Sequence, residues 1–284
     1  IVVKNKAIGL NYLDTYFRSG LYPWPNQEKI KILGSEGVGF IHSVGSDVSE
    51  LKEGDKVSYV TPVGAYAEYA LINSAHAVQI KVDVNDYDVV ASTLKGLTAH
   101  YLLHLTFDLK SGMTALVHAA AGGVGQLMGQ WGSEIGATMI GTVGGPGKAE
   151  AAKKAGYHHV IDYNDKDFVT EVMRITDNKK CDVVYDSVAK SVFPGSMDCL
   201  KPRGLWALFG QASGPIVDFN LGLLSAKGSL FVTRPTLFSY IANRDEYNAA
   251  SFELYSRVAD GRLKVAIHDK MPIENIVEAH NLLE

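Results

Sequence analysis

Cysteine is scarce in this chain, and its scarcity limits both disulfide and metal chemistry. Only Cys181 and Cys199 occur among 284 residues, too few for a disulfide framework or a zinc site of four thiolates. No apolar run approaches the roughly 20 residues that cross a bilayer. Neither sign of charge predominates, since 27 Lys and Arg stand against 31 Asp and Glu, a formal net charge of −4. We therefore expect a cytoplasmic protein with no membrane and no nucleic-acid partner.

The length and apolar content are sufficient for about two folded domains. Hydrophobic residues make up 46% and charged residues 20%, which excludes an extended disordered chain. The chain begins Ile-Val-Val-Lys without a secretory signal and stops at Glu284 inside a helical pattern. We expect a fragment whose C-terminal part ends before its fold does.

The sequence contains two regions with different secondary-structure patterns. Residues 1 to about 97 are β-rich, with strands predicted at 2–3, 37–44, 56–60 and 65–71 and a bulge or bend in the second of them. After residue 99, strands alternate with helices over short connections, which is typical of a parallel sheet covered on both faces. The predicted strands there are 113–119, 138–143, 159–161, 182–185 and 205–209. The predicted helices there are 127–135, 148–155, 166–175 and 193–200. A helix at 246–258, a strand at 265–267 and a helix at 276–283 follow.

A glycine-rich loop follows the first strand of the alternating region and opens a helix. Ala120, Gly122 and Gly125 match the pattern A-x-G-x-x-G. A small residue at Ala120 permits the tight turn, Gly122 lets the backbone approach a pyrophosphate, and Gly125 allows the helix to pack closely on the strand. The helix start then offers free N–H groups to phosphates. Dinucleotide binding is the favoured interpretation, and a purely structural turn is the alternative.

The segment after the next strand indicates which dinucleotide binds. An NAD site needs an acidic residue there to accept from the ribose 2′-OH, but residues 141–148 contain none and their first charge is Lys148. A 2′-phosphate needs cationic or hydroxyl donors. NADPH is therefore predicted, with an ordinary solvated Lys148 as the alternative.

Several short sequence segments, spread over nearly the whole chain, resemble those of a known protein family. They are 6–11 with 14–16, 18–23, 95–99, 118–125, 184–188 and 228–235. Together they resemble the medium-chain dehydrogenase/reductase superfamily, specifically its zinc-free, zeta-crystallin-like quinone oxidoreductases. The resemblance implies an α/β fold in which a Rossmann doubly wound parallel sheet, residues 98–235, is inserted in a β-rich GroES-like catalytic domain made of 1–97 and 236–284. It also implies further strands beyond both ends and a homodimer formed through the strand around Phe231.

The resemblance also implies a set of cofactor-binding residues. Nicotinamide contacts fall on Asn11, Tyr16, Thr98, Phe209, Gly210, Phe231, Val232 and Thr233. Pyrophosphate contacts fall on Gly122, Gly123 and Val124, and 2′-phosphate contacts on Lys148 and Tyr163. Gly141 and Thr142, on the strand that leads to Lys148, complete the set.

No metal site is expected. Zinc members of the superfamily read Gly-His-Glu where this chain has Ser35 before Glu36, and no cysteine precedes Cys181, so the zinc ligand set is missing. His100 and His104 lie four apart on a predicted helix, where helix packing or solvent exposure is a better interpretation than metal binding. His118 is interpreted as a packed core residue and Cys181 as inert.

Without a metal, a nicotinamide hydride needs an acceptor that is already electron-poor, such as a quinone or an activated enone. Asn11, Tyr16 and Tyr22 are the candidate catalytic residues, lining the substrate pocket and donating hydrogen bonds to the reduced oxygen; packing is the alternative for the two tyrosines. The function predicted is an NADPH:quinone oxidoreductase. An enoyl or alkenal double-bond reductase and a non-enzymatic NADPH-binding protein are the alternatives.

Overall fold

The computed structural model describes residues 1–25 and 30–284. The chain forms two compact units, one made of Ile1–Leu97 with Ile241–Glu284 and the other of Thr98–Tyr240. The long insertion in the first unit is thus a unit with a core of its own.

The first unit is built on an antiparallel sheet of five strands in the order β4-β1-β2-β3-β5. The strands are β1 (Val2–Ile8), β2 (Glu36–Ser43), β3 (Lys56–Val60), β4 (Tyr69–Leu71) and β5 (Ala77–Gln79). The pairing of β1 with β2 slips between Val2, which faces Ser43, and Val3, which faces Ile41. The extra residue in β2 is the bulge that its sequence predicts.

The strand predicted at 65–71 forms only in β4. Asn5 Nδ2 donates to the carbonyl oxygens of Ala65 and Ala67, at 3.2 and 2.8 Å. The backbone N–H of Ala65 bonds to the carbonyl oxygen of Gly34, at 3.0 Å. Turn and side-chain hydrogen bonds therefore replace the strand ladder over the first half of this segment.

Four helices have most or all of their length in the first unit: α1 (Tyr12–Ser19), α2 (Asp86–Tyr101), α9 (Arg244–Ala259) and α10 (Ile276–Leu283). The predictions for α9 and α10 are confirmed, and the Asn243 side chain caps α9 by accepting from two backbone N–H groups. The strand predicted at 265–267 is wrong, because these residues form no strand. A run of three apolar residues is too short to distinguish a strand from irregular chain.

The second unit is built on six parallel strands in the order β11-β10-β9-β6-β7-β8. They are β6 (Thr114–Val117), β7 (Thr138–Val143), β8 (His159–Asp162), β9 (Cys181–Asp186), β10 (Leu200–Leu208) and β11 (Phe231–Thr233). The remaining helices are α3 (Gly123–Ile135), α4 (Pro146–Lys154), α5 (Phe168–Ile175), α6 (Gly195–Asp198), α7 (Gly222–Ala226) and α8 (Leu237–Tyr240). The predicted fold class, a parallel α/β sheet combined with a β-rich unit, is confirmed.

The order of the strands reverses at β6, with β7 on one side and β9 on the other. In open parallel sheets this is the position where a crevice forms outside the carboxyl ends of the strands. Helix α3 begins there and buries Leu127, Met128 and Trp131, the apolar stripe that its sequence predicts. Gly136 ends the helix in the left-handed region, at φ +89°.

The helix predicted at 193–200 is shorter than its sequence indicates. Helix α6 holds only four residues, and β10 begins at Leu200. Pro194 precedes the helix and Cys199 ends it. Pairing of Leu200 with Cys181 in the sheet outweighs local helical preference at this end.

Candidate cofactor and substrate site

The glycine loop between β6 and α3 presents free backbone donors. Gly122 occupies the N-cap of α3, and no side chain caps the helix. The N–H of Gln126 makes a hydrogen bond to Gly122 O at 2.8 Å, so the amides of Gly123, Val124 and Gly125 have no partner within the helix. Gly122 and Gly123 are exposed. A pyrophosphate fits this helix start, since its charge and oxygens match the free N–H groups and the helix dipole.

Glycine is required where the loop enters the helix. A Cβ on Gly125 would lie 2.5 Å from the carbonyl oxygen of Ala119, and one on Gly122 would lie 3.2 Å from the same oxygen. Ala119 itself turns the chain with φ +54°. Side chains at these glycines would push the helix start away from the turn and fill the space over the amides.

The two predicted 2′-phosphate ligands follow two neighbouring strands, Lys148 after β7 and Tyr163 after β8. Tyr163 is half exposed and lies over Gly144, where a Cβ would be 2.5 Å from its hydroxyl oxygen. Lys148 is exposed in the first turn of α4, whose N-cap, Gly145, has no side-chain cap. A phenol, an ammonium group and an uncapped helix start are donors that suit a phosphate.

Asp162, which sequence reasoning missed, holds the segment after β7 in place. Its two carboxylate oxygens each lie 3.1 Å from the backbone nitrogen of Gly145, and Gly145 has φ +107°. An acidic residue at the end of a predicted strand was the signal available in the sequence.

Below the glycine loop lies a fully buried polar network. His118 Nδ1 is 2.9 Å from Thr142 Oγ1 and its Nε2 is 3.1 Å from Ser196 Oγ, which donates to Asp186. Burial, opposed by the Asp186 carboxylate, lowers the pKa of His118 below its usual range. The interpretation of His118 as a packed core residue agrees with this position. Thr142 uses its hydroxyl within the network, and its carbonyl oxygen accepts from Ala120 of the glycine loop.

The other predicted cofactor residues of the second unit lie in or directly after its strands, except Thr98, which lies in a helix. Gly141 is buried in β7, where a Cβ would lie 2.5 Å from that of Ala120. Phe209 and Gly210 follow β10, and both backbone N–H groups donate to Asp186 O. Phe231, Val232 and Thr233 form β11, the edge strand beside β10. Thr98 is buried in α2.

The structure brings the three predicted catalytic residues together around α1. Asn11 is buried at the N-cap of α1. The rings of Tyr16 and Tyr22 lie 5.2 Å apart between centroids, and the backbone N–H of Tyr22 donates to Tyr16 O at 3.0 Å. Both tyrosines are half-buried. The cluster therefore combines one buried amide with two partly exposed aromatic rings.

Asp14, on the same helix, is a buried carboxyl group that sequence reasoning did not assign to the site. It accepts from the Asn11 backbone N–H at 2.8 Å, from Ser35 Oγ at 3.0 Å and from the Tyr66 hydroxyl at 3.0 Å. Burial raises the pKa of Asp14 to about 6, against the opposing effect of these hydrogen bonds. Ser35, at the position where zinc members carry histidine, thus uses its hydroxyl within the protein.

His100, His104 and Cys181, the other residues considered as metal ligands or nucleophiles, take structural positions. The ring centroids of His100 and His104 lie 5.1 Å apart, and they lie 5.6 and 5.3 Å from that of Trp131. This position agrees with the interpretation of helix packing. Cys181 is buried, and burial raises its pKa to about 12. Within residues 1–25 and 30–284, no three His, Cys, Asp or Glu side chains form a group that could hold a metal ion. None of the helices described is long and apolar enough to cross a membrane.

Two protein-family models match the chain. Residues 1–82 match the alcohol dehydrogenase GroES-like domain, and residues 123–255 match the zinc-binding dehydrogenase family. The chain also resembles a quinone oxidoreductase of Pseudomonas aeruginosa, at 45% identity over 99% of this chain and 86% of the relative. A 2-haloacrylate reductase of a Burkholderia species is 40% identical over 99% of this chain and 86% of that protein.

A solved structure agrees with these relatives. The crystal structure of Escherichia coli quinone oxidoreductase complexed with NADPH matches with a TM-score of 0.95 at 45% identity, covering 100% of this chain and 87% of the other. The fold of this chain therefore recurs over 87% of that structure.

Proposed function

Because the chain belongs to the quinone oxidoreductase family of the medium-chain dehydrogenase/reductase superfamily, we propose that it is an NADPH-dependent quinone oxidoreductase. The observation that carries the proposal is the uncapped start of α3 above the glycine loop, in a chain that matches an NADPH-complexed quinone oxidoreductase over its whole length.

The chain's own residues would bind and orient the cofactor. The amides of Gly123 and Val124 hold the pyrophosphate, while Lys148 and Tyr163 hold the 2′-phosphate. The proposed nicotinamide contacts are Asn11, Tyr16, Thr98, Phe209, Gly210 and 231–233. When bound, NADPH supplies the hydride, and the protein contributes position and the exclusion of water.

The proposed substrate is a quinone. The rings of Tyr16 and Tyr22 suit a flat, conjugated quinone, and their hydroxyl groups can donate hydrogen bonds to the oxygen that gains charge. We propose that the reaction needs no metal, because the Ser35 hydroxyl, at the position of a zinc-ligating histidine, bonds to Asp14. A quinone is electrophilic enough to take a hydride without a Lewis acid.

Fluorescence titration with NADPH and NADH, followed by a quinone panel, tests this function. We expect saturable binding that is tighter for NADPH, and NADPH oxidation with benzoquinone or phenanthrenequinone. Failure of both dinucleotides to bind would contradict the proposal. Binding without turnover of any acceptor would instead favour a non-enzymatic role.

A second candidate acceptor is an activated carbon–carbon double bond, which the 40% identity to a 2-haloacrylate reductase favours. Both kinds of acceptor take up a hydride at an electron-poor carbon or oxygen, so one nicotinamide site could serve either. Values of kcat/KM for benzoquinone, for 2-chloroacrylate and for an α,β-unsaturated aldehyde decide between them. A quinone oxidoreductase is expected to prefer the quinone by at least about tenfold.

We also propose a homodimer and a cytoplasmic location. The dimer proposal rests on β11, an edge strand with Phe231 62% exposed and Val232 37% exposed, since an exposed apolar edge strand can pair with its counterpart in a second copy. The location rests on Cys181 and Cys199, which are both unpaired thiols.

A further inference from the structure

A buried carboxylate, Glu36, lies beside the predicted nicotinamide ligand Asn11 and has no role in the chemistry described so far. Glu36 is completely buried at the start of β2. Its Oε1 accepts from Asn11 Nδ2 at 2.8 Å and from Lys95 Nζ at 3.0 Å, and its Oε2 accepts from the Leu94 backbone N–H at 2.6 Å. Three donors on two oxygens satisfy an acceptor-only group.

The fold makes room for this carboxylate at one specific position. A Cβ on Gly9 would lie 2.1 Å from Glu36 Oε1 and 2.5 Å from Cδ, so only glycine leaves the space that the group occupies. Gly9 comes directly after β1 and two residues before Asn11. The carboxylate is therefore built into the approach to α1.

The contact determines which way the Asn11 amide faces. A side-chain amide carries donors on nitrogen and an acceptor on oxygen, and only the nitrogen can face a carboxylate. Nδ2 therefore points to Glu36, and Oδ1 is directed away from it. Without Glu36, the two orientations of the amide would differ little in shape.

We propose that Glu36 is a positioning residue that fixes the Asn11 amide with its carbonyl oxygen directed to the dinucleotide. This inference rests on the proposed function. An acceptor at this position recognises a donor, either the carboxamide NH₂ of the nicotinamide or a hydroxyl of its ribose.

A pair of substitutions with reversed polarity tests the inference. In Asn11→Asp, two carboxylates face each other. In Glu36→Gln, the new side-chain NH₂ group must face another donor in either of its orientations: Asn11 Nδ2 and Lys95 Nζ in one, and the Leu94 backbone N–H in the other. Each single variant is expected to raise the Kd for NADPH about tenfold. In the double variant, the new side-chain amide at position 36 can accept from the Leu94 N–H and donate to the carboxylate at position 11, which also pairs with Lys95. Every donor then has an acceptor again, and the side chain at position 11 again directs an acceptor oxygen away from position 36. The Kd for NADPH should therefore return to within about threefold of wild type.

The measurements are the Kd for NADPH by fluorescence and the Tm of the apo protein. Lys56→Met, which breaks the Lys56–Asp86 ion pair in the same unit, is the control for loss of stability alone and should leave the Kd unchanged. If Glu36 only stabilises the fold, the double variant recovers the wild-type Tm but not the wild-type Kd for NADPH. That result would overturn the inference. It is equally overturned if wild type binds NADPH and Glu36→Gln binds it as tightly. A wild-type protein that binds no dinucleotide contradicts the proposed function itself.

Discussion

At the scale of single residues, we propose that the choice between NADPH and NADH depends on one exposed cation, Lys148. Lys148 stands in the first turn of α4, near the half-exposed Tyr163 hydroxyl that lies over Gly144. NADPH and NADH differ only by the 2′-phosphate, so a residue that binds this group affects one cofactor and not the other. Discrimination between the two is thus a more specific readout than affinity alone.

Replacing Lys148 with Ala should raise the Kd for NADPH by about tenfold and leave the Kd for NADH within about twofold, since one charge-assisted contact is lost. Fluorescence titration with both cofactors measures this. Lys153→Ala, near the other end of α4, is the matched control and should change neither value. Equal weakening for both cofactors would contradict the assignment.

A pH-dependent contribution to stability is expected from Asp14. Its pKa is about 6 in the folded protein, against an ordinary value of 3.8. The folded state therefore binds the proton more tightly, and Asp14 favours folding below about pH 4. This contribution, up to about 3 kcal/mol, is lost as the pH rises through about 6.

Asp14→Asn removes the titration. The free energy of unfolding of wild type minus that of the variant should therefore fall between about pH 4 and about pH 7.5, as measured by urea unfolding. A difference that stays constant over this range, or that rises, is the outcome that would rule out a raised pKa.

At the scale of elements, the sequence was most informative where periodicity and glycine chemistry agree. Helix α3 was predicted from its apolar stripe and from Gly136 at its end, and β7 was predicted with its observed bounds. Local preference failed where tertiary partners decide the structure. Residues 265–267 are apolar and were predicted as a strand but form none, and Leu200, at the end of a predicted helix, pairs with Cys181 in the sheet.

The entry to α3 can be tested by adding a single methyl group. Gly125→Ala places a Cβ 2.5 Å from Ala119 O, and we expect a loss of about 1–3 kcal/mol in the free energy of unfolding. Binding of both NADPH and NADH should weaken, because the pyrophosphate contacts are common to both. Gly45→Ala, where nothing lies within 4 Å of the added Cβ, is the control and should change neither. A fully stable Gly125→Ala variant with normal binding would show that the loop does not need glycine.

The candidate site was predicted unevenly, for a physical reason. Local spacing predicted the glycine loop and Lys148, and the resemblance predicted Tyr163. Such predictions are possible because each of these residues comes directly after a strand or at the start of a helix, which the sequence pattern locates. Asp14, Glu36 and Asp162 were not assigned to the site, since each acts on a group distant in sequence or on a turn. A buried carboxylate becomes recognisable only when its donors are seen around it.

At the scale of the whole molecule, the proposed site residues fall in both units. The parallel unit carries the helix starts proposed to bind the phosphates, and the β-rich unit carries the proposed catalytic residues Asn11, Tyr16 and Tyr22 and the buried carboxylates Asp14 and Glu36. The similarity to a known quinone oxidoreductase covers 99% of the chain, and so both units. The proposed homodimer is also a property of the whole molecule, and it can be tested.

Phe231→Lys should convert the proposed dimer to a monomer, because a charge on the edge strand opposes pairing with another edge. Light scattering after size-exclusion chromatography measures the mass. Phe252→Lys is the matched control, since Phe252 is a similarly exposed phenylalanine, 58% accessible, on α9. A wild-type mass of one chain would contradict the dimer directly.

The most direct test of the whole account is steady-state oxidation of NADPH by phenanthrenequinone in the presence of a strong metal chelator. The account predicts turnover that saturates with NADPH, is several-fold less efficient with NADH, and is unaffected by the chelator. Absence of NADPH oxidation, or activity that the chelator removes and zinc restores, would contradict it.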